Sequence, residues 1–373
     1  MEELGVVFVI LGLVLISNTV TCSSGNGVTV SCMMVYEQGG APAVFDSEEC
    51  LQWPSLQNHT PNCQFAQLQG DRRSQEDRIS CHLHMKIIPL IGENRLQEVR
   101  LGIAAVFDGH GGEEASETGS NLLSDYFHLH YVFKMYKLMG QFQGEFTAND
   151  SESLQLEVIK EALLSTIYDI DAKFTQASCI LSEAVKNNLL SGSTATVIVL
   201  FDGKILVANV GDSKAIIFSE IESGQGPEAS LSAIELTKDH HPDRADERAR
   251  IEATGGSVIV RGVPRVNGIL AMSRAIGDIY LKRYGVIAVP EVTGWQHISG
   301  NYRYLVVASD GIFESLTAND VGDLILKWDS HYVKGPSSTL AEFIVKNAYD
   351  KGSTDNLSVI VIPLSLDFAE VKH

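Results

Sequence analysis

Short unbroken apolar runs alternate along this chain with longer stretches of helical periodicity. Leu101 to Phe107 is a continuous apolar run ending on Asp108-Gly109-His110-Gly111-Gly112, through which no helix continues, so it predicts a buried strand. The clearest local signal is Thr194 to Phe201, then Asp202-Gly203, then Lys204 to Val210. Two β-rich runs joined by Asp-Gly predict a type I′ hairpin and antiparallel pairing. Further strands are predicted over Tyr302 to Ser309, stopping at Asp310-Gly311, and over Leu357 to Pro363, starting just after Asp355-Asn356. Helices are predicted over Glu114–Tyr126, Leu154–Phe174, Arg244–Thr254 (closed by Gly255-Gly256), Asn319–Lys327 and Thr339–Tyr349. Hairpin-joined strands with helices grouped between them imply a layered α+β fold, not a doubly wound parallel sheet.

The N-terminal pattern differs. Val6 to Ile16 is apolar apart from Gly12, with Ser17, Thr19, Thr21 and Ser23 following. That resembles the core and cleavage zone of a secretory signal and is short for a membrane span of about 20 residues. Glu2 and Glu3 stand where basic residues are expected, and no Lys or Arg precedes Arg72. Residues 1–23 are therefore read as a signal peptide or signal anchor, giving a membrane-associated or secretory location, with cytoplasm or nucleus as the alternative. Residues 24–66, rich in Gly, Ser, Asn, Pro and Gln, read as a linker or loosely packed extension. The domain proper is expected over 67–366, with a tail over 367–373. Met135–Asn149 and Ser219–Ser230 read as surface loops.

Composition narrows the function. The 373 residues, 45% of them hydrophobic, suffice for a sizeable core. Lys plus Arg total 28 against 47 Asp plus Glu, a formal net charge of −19 that argues against affinity for nucleic acid or an anionic membrane surface. The six cysteines contain no CxxC pair, which argues against a zinc ribbon or a thioredoxin-like site, and all but Cys179 precede Leu83, so the body is not expected to depend on a disulfide framework.

Candidate chemistry sits at the strand ends. Asp108, Asp212 and Asp310 each lie at or just beyond the end of an apolar strand, beside Gly, and Asp355 just precedes another. Any one Asp-Gly is more often a turn than a ligand. However, strands as apolar as those before Asp108 and Asp310 would not end on an unpaired carboxylate without a partner. A strand mouth holds a carboxylate rigidly yet leaves it reachable, as a hard-cation site requires. Oxygen-only ligands favour Mg²⁺ or Mn²⁺ over zinc.

Taken in order, a series of motifs carries a family resemblance across roughly Gln69 to Leu364. They are Gly70-Asp71-Arg72-Arg73-Ser74-Gln75-Glu76-Asp77, Val106 through Gly112, Gly192-Ser193-Thr194-Ala195, Asn209 through Ser213, Asp239-His240, Arg250-Ile251 through Gly255-Gly256, Arg265 through Gly268, Ser273 through Asp278, Ala308 through Gly311, and Asp355 through Ser358. The series resembles the protein phosphatase 2C family of metal-dependent serine/threonine phosphatases, in a plant-like form. The resemblance implies a central antiparallel β-sandwich flanked by helices in four αββα layers.

It also implies roles. Asp108 would bridge two catalytic metals, with the Gly109 carbonyl adding to one. Asp310 and Asp355 would bind the first metal, Glu76 and Asp77 would act on the second, partly through water, and Asp212 would hold a third. Arg72, placed by its Arg-x-x-x-Glu-Asp spacing, would clamp phosphate, and His110 would protonate the leaving oxygen. Asp278 would belong either to a flap near the third metal or to a plain loop. Glu314 departs from the pattern, standing where the family commonly carries Asp, which puts the third-metal shell in doubt. The implied reaction is Mg²⁺- or Mn²⁺-dependent hydrolysis of phosphoserine and phosphothreonine in proteins by a metal-bridged hydroxide, on two or three ions, without a covalent phosphoenzyme. The implied partners are phosphorylated proteins, and the implied state is a monomer. The alternative is a catalytically weak phosphatase-like binding or regulatory module. Sequons at Asn58-His-Thr, Asn149-Asp-Ser and Asn356-Leu-Ser decide little, the last lying inside the expected metal loop.

Overall fold

Ile103, Ala105 and Phe107 turn to one face of their strand while Ala104 and Val106 turn to the other, and all five are fully buried. A strand buried on both faces needs a layer on each side, and that requirement sets the architecture. A computed structural model describes residues 21–23, 29–47, 50, 63–87, 90–91, 95–96, 99–141, 148–180, 190–221, 230–330 and 337–364.

Two antiparallel sheets form the centre. The first runs in the order Glu291–Val292, Lys204–Val210, Ala195–Phe201, Val99–Phe107 and Arg78–Ile87, with Gln296–His297 also pairing on Lys204–Val210. The second runs Leu231–Glu235, Lys214–Glu220, Tyr302–Ala308, Leu357–Pro363 and Gln64–Leu68. Between them Ala104, Val106, Ile198 and Val207 of the first pack against Ile217, Leu305, Val307 and Ile360 of the second. The outer face of the first sheet is covered by helices Glu114–Gln141 and Ala148–Ile180, and that of the second by Ala318–Asp329 and Leu340–Asp350. The expected α+β sandwich in four layers is the observed one. The hairpin turn is also as expected, with Asp202 and Gly203 both at positive φ, 46° and 64°, as a type I′ turn needs.

Several expectations are corrected. The first outer helix does not stop at Tyr126; it continues to Gln141, with Leu123, Phe127, Tyr131 and Met135 buried at four-residue spacing. His128 and His130 stand on its buried part and hide the apolar periodicity. Most of Met135–Asn149 is therefore helix, since the next helix begins at Ala148, and residues 142–147 lie outside the described residues. Of Ser219–Ser230, Ser219 and Glu220 complete a strand, and 222–229 lie outside the described residues.

The stretch read as a linker contains helix Cys32–Phe45, whose Ala41 and Val44 are fully buried against the first helical layer. A polar network docks it there. The Tyr36 hydroxyl lies 2.6 Å from His130 Nδ1, His130 Nε2 lies 2.9 Å from Asp169, and the same carboxylate accepts the Ala41 N–H at 2.8 Å. The first strand of the sandwich begins at Gln64, ahead of the expected start at residue 67. Just before it, Cys63 forms a disulfide with Cys81 of strand Arg78–Ile87, tying the edges of the two sheets together, so a disulfide does brace the body. Among the described residues no helix is long and apolar enough to cross a membrane, and Val6–Ile16 lies outside them.

Gly119 brings helix and sheet into close approach: a Cβ there would sit 2.6 Å from the Phe107 ring. Helix propensity alone would make Gly119→Ala stabilising by about 1 kcal/mol. Overpacking of a fully buried ring costs about 1–3 kcal/mol and wins. Urea unfolding of Gly119→Ala is expected to show a lower midpoint than wild type.

Candidate metal centre

Every candidate acid sits at one end of the sandwich, where the chain changes sheet or where strands of the two sheets end. Asp77 lies on the crossing from Gln64–Leu68 to Arg78–Ile87, and Asp212 on the crossing from Lys204–Val210 to Lys214–Glu220. Asp108 and Asp310 follow the ends of Val99–Phe107 and Tyr302–Ala308, and Asp355 precedes Leu357–Pro363. Side chains far apart in sequence are thereby delivered to one mouth. Asp108, Asp212 and Asp310 offer carboxylate oxygens that all lie within 4.8 Å of one another.

Buried hydroxyls fix the backbone beneath this cluster. Asp108 N–H donates to Thr194 Oγ1 at 3.0 Å, while Thr194 N–H donates to the Asp108 carbonyl at 2.9 Å. Thr194 Oγ1 is in turn 2.8 Å from the Ser213 hydroxyl, so the Asp108 and Asp212 loops share one hydrogen-bonded base. On the other side, Ser309 and Ser358 exchange hydrogen bonds below Asp310.

The electrostatics are those of a site built for cations. Burial raises Asp108 well above its ordinary value of 3.8, and Asp77, Asp310 and Asp212 raise it further. Burial likewise pushes Asp212 up to about 7, with Asp310 adding to the effect. Asp77 also reaches about 7: burial raises it, the Ser358 and Ser309 hydroxyls oppose, and Asp310 and Asp355 raise it again. Beyond the nearby Ser309 and Ser358 hydroxyls, both Asp77 carboxylate oxygens and Oδ1 of Asp212 are buried with no hydrogen bond of normal geometry among the described residues. Buried carboxylates left so are costly, and a hard divalent cation satisfies them. With no thiolate or imidazole in the cluster, the donor set fits Mg²⁺ or Mn²⁺.

The remaining predicted residues surround the cluster. Arg72, well exposed, pairs with Asp355 at 2.5 Å. Glu76 does not turn its carboxylate into the aspartate group: it accepts from the Ser74 hydroxyl at 2.9 Å and the Gly112 N–H at 3.3 Å. Gly109 and His110 form a two-residue strand beside the site. His110 Nε2 lies 2.7 Å from the buried carboxylate of Asp278, while Nδ1 has no partner among the described residues. Burial alone would lower the His110 imidazole, but Asp278 more than offsets this and holds it above its ordinary value.

Glu314 is engaged with the turn before Asp355. Its carboxylate accepts the Ser353 hydroxyl and the Thr354 N–H, both at 2.9 Å, and so braces the turn that presents Asp355. Asn356 has no evident chemistry in its motif, yet its carboxamide accepts the Glu76 N–H at 2.7 Å and donates to the Gln69 and Ser74 carbonyls at 2.8 and 3.0 Å. It thereby stitches the Arg72–Glu76 loop to the Asp355 loop. Thr194, Ser213, Ser309 and Ser358 were likewise visible only as motif letters.

The profile of the family described as Protein phosphatase 2C matches residues 62–357. The chain is 38% identical to "Putative protein phosphatase 2C 76" of Oryza sativa subsp. japonica, over 92% of this chain and 86% of that protein. It is 39% identical to "Probable protein phosphatase 2C 51" of Arabidopsis thaliana, over 91% of this chain and 79% of that protein. Among solved structures, serine-threonine phosphatase 2C from Toxoplasma gondii superimposes with a TM-score of 0.63 at 22% identity, covering 84% of this chain and 98% of that one. A C. elegans sex determining protein gives 0.59 at 23% identity, covering 94% and 79%. At these identities the two structures speak for the fold.

The raised carboxylates generate a pH prediction. A carboxyl whose folded pKa lies above its unfolded value binds its proton more tightly in the native state, so its contribution is full below the unfolded value and is lost as pH rises through the folded one. For Asp77 and Asp212 that window runs from 3.8 to about 7. In EDTA the melting temperature is therefore expected to fall as pH rises across this range, and Mn²⁺ is expected to restore it at the upper end. Thermal melts with and without Mn²⁺ check this; a melting temperature that rises with pH in EDTA would contradict it.

Proposed function

Because the chain belongs to the protein phosphatase 2C family, we propose that it hydrolyses phosphoserine and phosphothreonine in proteins with the help of Mg²⁺ or Mn²⁺. The observation that carries this reading is the convergence of Asp108, Asp212 and Asp310 within 4.8 Å, beside buried Asp77. Asp108, Asp310, Asp355 and Asp77 would hold two ions, Asp212 a third, and Glu76 would act from the rim through water.

Bound there, such ions supply an acidified water as nucleophile and offset the charge of the phosphate. The chain's own groups do the rest. Arg72 presents a planar, permanently charged fork that grips two phosphate oxygens. Its pair with Asp355 is largely exposed and is worth at most about 1 kcal/mol, so a phosphate dianion can compete for it. His110, oriented by Asp278, gives its proton to the serine or threonine oxygen as the P–O bond to that oxygen breaks. No side chain forms a bond to phosphorus.

Asp108→Ala is expected to lower Mn²⁺-dependent turnover of a phosphothreonine peptide by at least about 100-fold, the scale on which a positioned electrostatic stabiliser acts. Phosphate release measured with and without Mn²⁺ checks it. Equal Mn²⁺-independent release by the two proteins would favour a phosphatase-like binding module instead.

A further inference from the structure

Asp278 orients His110, and this fully buried residue lies on a corner whose backbone is itself unusual. Gly277 and Asp278 both take positive φ, 77° and 47°. For a non-glycine residue this left-handed conformation costs about 1 kcal/mol or more and persists only where neighbours enforce it. The enforcing contacts are few. Ile276–Gly277 pairs with Gly192–Ser193, which pairs with Gly109–His110, so a three-stranded ribbon carries His110 and the Asp278 backbone on its outer strands. The Asp278 N–H donates to the Ser191 carbonyl at 3.0 Å. The Gly277 N–H donates to Asp171 Oδ1 at 2.8 Å, and Asp171 lies on the long helix Ala148–Ile180 of the outer layer.

The same carboxylate takes the Lys282 ammonium at 2.9 and 3.0 Å, and Lys282 also donates to the Ala275 carbonyl at 2.8 Å. Asp171 therefore grips the Gly277–Asp278 corner on both sides: at the Ile276–Gly277 peptide before it and, through Lys282, at the short helix Ile279–Lys282 after it. The space around the corner is tight. A Cβ at Gly277 would lie 2.4 Å from the Ser191 carbonyl, and one at Gly192 would lie 2.2 Å from Asp278 Oδ2 and 2.4 Å from His110 Nε2.

We propose that Asp171 is a positioning residue for proton donation: it locks the Gly277–Asp278 corner so that the Asp278 carboxylate keeps the His110 imidazole aimed at the leaving oxygen. The inference rests on the reading of His110 as the general acid. It predicts a dependence on the leaving group. A serine or threonine alkoxide needs its proton as the P–O bond breaks, whereas p-nitrophenolate departs without one.

The test compares steady-state kinetics of the full chain with Mn²⁺ on a phosphothreonine peptide and on p-nitrophenyl phosphate. Asp171→Ala is expected to lower kcat on the peptide about tenfold, a fraction of what a general acid supplies, and to leave p-nitrophenyl phosphate within about twofold. KM and the Mn²⁺ concentration for half-maximal rate are expected to stay unchanged. Asp171→Asn keeps an acceptor for the Gly277 N–H and is expected to lose less; Lys282→Met breaks the grip from the other side and is expected to show the same substrate split. These two variants carry the test if Asp171→Ala does not fold. Equal losses on both substrates, or no loss on either, would overturn the proposal. His110→Ala is the control that separates the layers: if it slows both substrates equally, the general-acid reading fails, and if it shows the split while the Asp171 and Lys282 variants do not, only the positioning role fails.

Discussion

Mutual repulsion among buried carboxylates is the constraint on which the rest of this structure turns. Asp77, Asp108, Asp212 and Asp310 are each pushed toward the protonated state first by burial and then by neighbouring carboxylates, with Asp310 raising the other three and Asp355 and Glu314 raising Asp310. A flexible loop would relieve that repulsion by moving apart. Two stacked sheets deny it the option, because each acid is attached within a residue or so of a strand whose both faces are buried. The inter-sheet core and the helical layers thus do more than stabilise the fold: they hold these carboxylates close together, where either a proton or a divalent cation would offset their charge. The bracing hydroxyls of Thr194, Ser213, Ser309 and Ser358 belong to the same logic, since they order the peptide units beneath the acids without adding charge.

The sandwich was largely legible because its strands combine continuous apolar runs with unambiguous punctuation. Val99–Phe107, the Asp202-Gly203 hairpin and Leu357–Pro363 are all local signals, and the acids at their ends could be named from them. Strands such as Arg78–Ile87 escaped notice because His82, His84 and Lys86 interrupt the run, and Gln64–Leu68 because its polar residues face outward on a sheet edge. Helix Cys32–Phe45 escaped for a different reason. Gly39-Gly40 and Pro42 read as helix breakers, and the chain does break there, at Gly40, before continuing as helix under the hold of Asp169. Such long-range compensation leaves no trace in local pattern.

The site shows the same division. The clustering of candidate acids was readable, because Asp beside Gly at a strand mouth is a local feature. Orientation was not: that Glu76 faces Gly112, that Glu314 reaches the Ser353–Thr354 turn, and that Asp278 holds His110 all depend on residues tens to hundreds of positions away. Motifs without evident chemistry have structural explanations of this kind. Arg250 and Arg274 both converge on fully buried Glu247, joined by Arg244 and the Ser273 hydroxyl. Burial would raise the Glu247 carboxyl, but these partners hold it far below its ordinary range, so the segment beside the site is fastened by a charge cluster as well as by its small apolar core.

Glu314 illustrates how position, not charge count, decides a role here. An aspartate at that place would be one methylene shorter, and one methylene is what carries the carboxylate to Ser353 and Thr354 at hydrogen-bond distance. Those contacts favour the ionised form, with the Thr354 N–H leading, so the group braces the turn as a carboxylate. The turn it braces ends on Asp355, whose carboxylate accepts the Asn356 N–H at 2.7 Å on one oxygen and pairs with Arg72 on the other. Asp355 is kept in place while Arg72, attached to it only through a solvent-screened contact, stays available to an incoming phosphate.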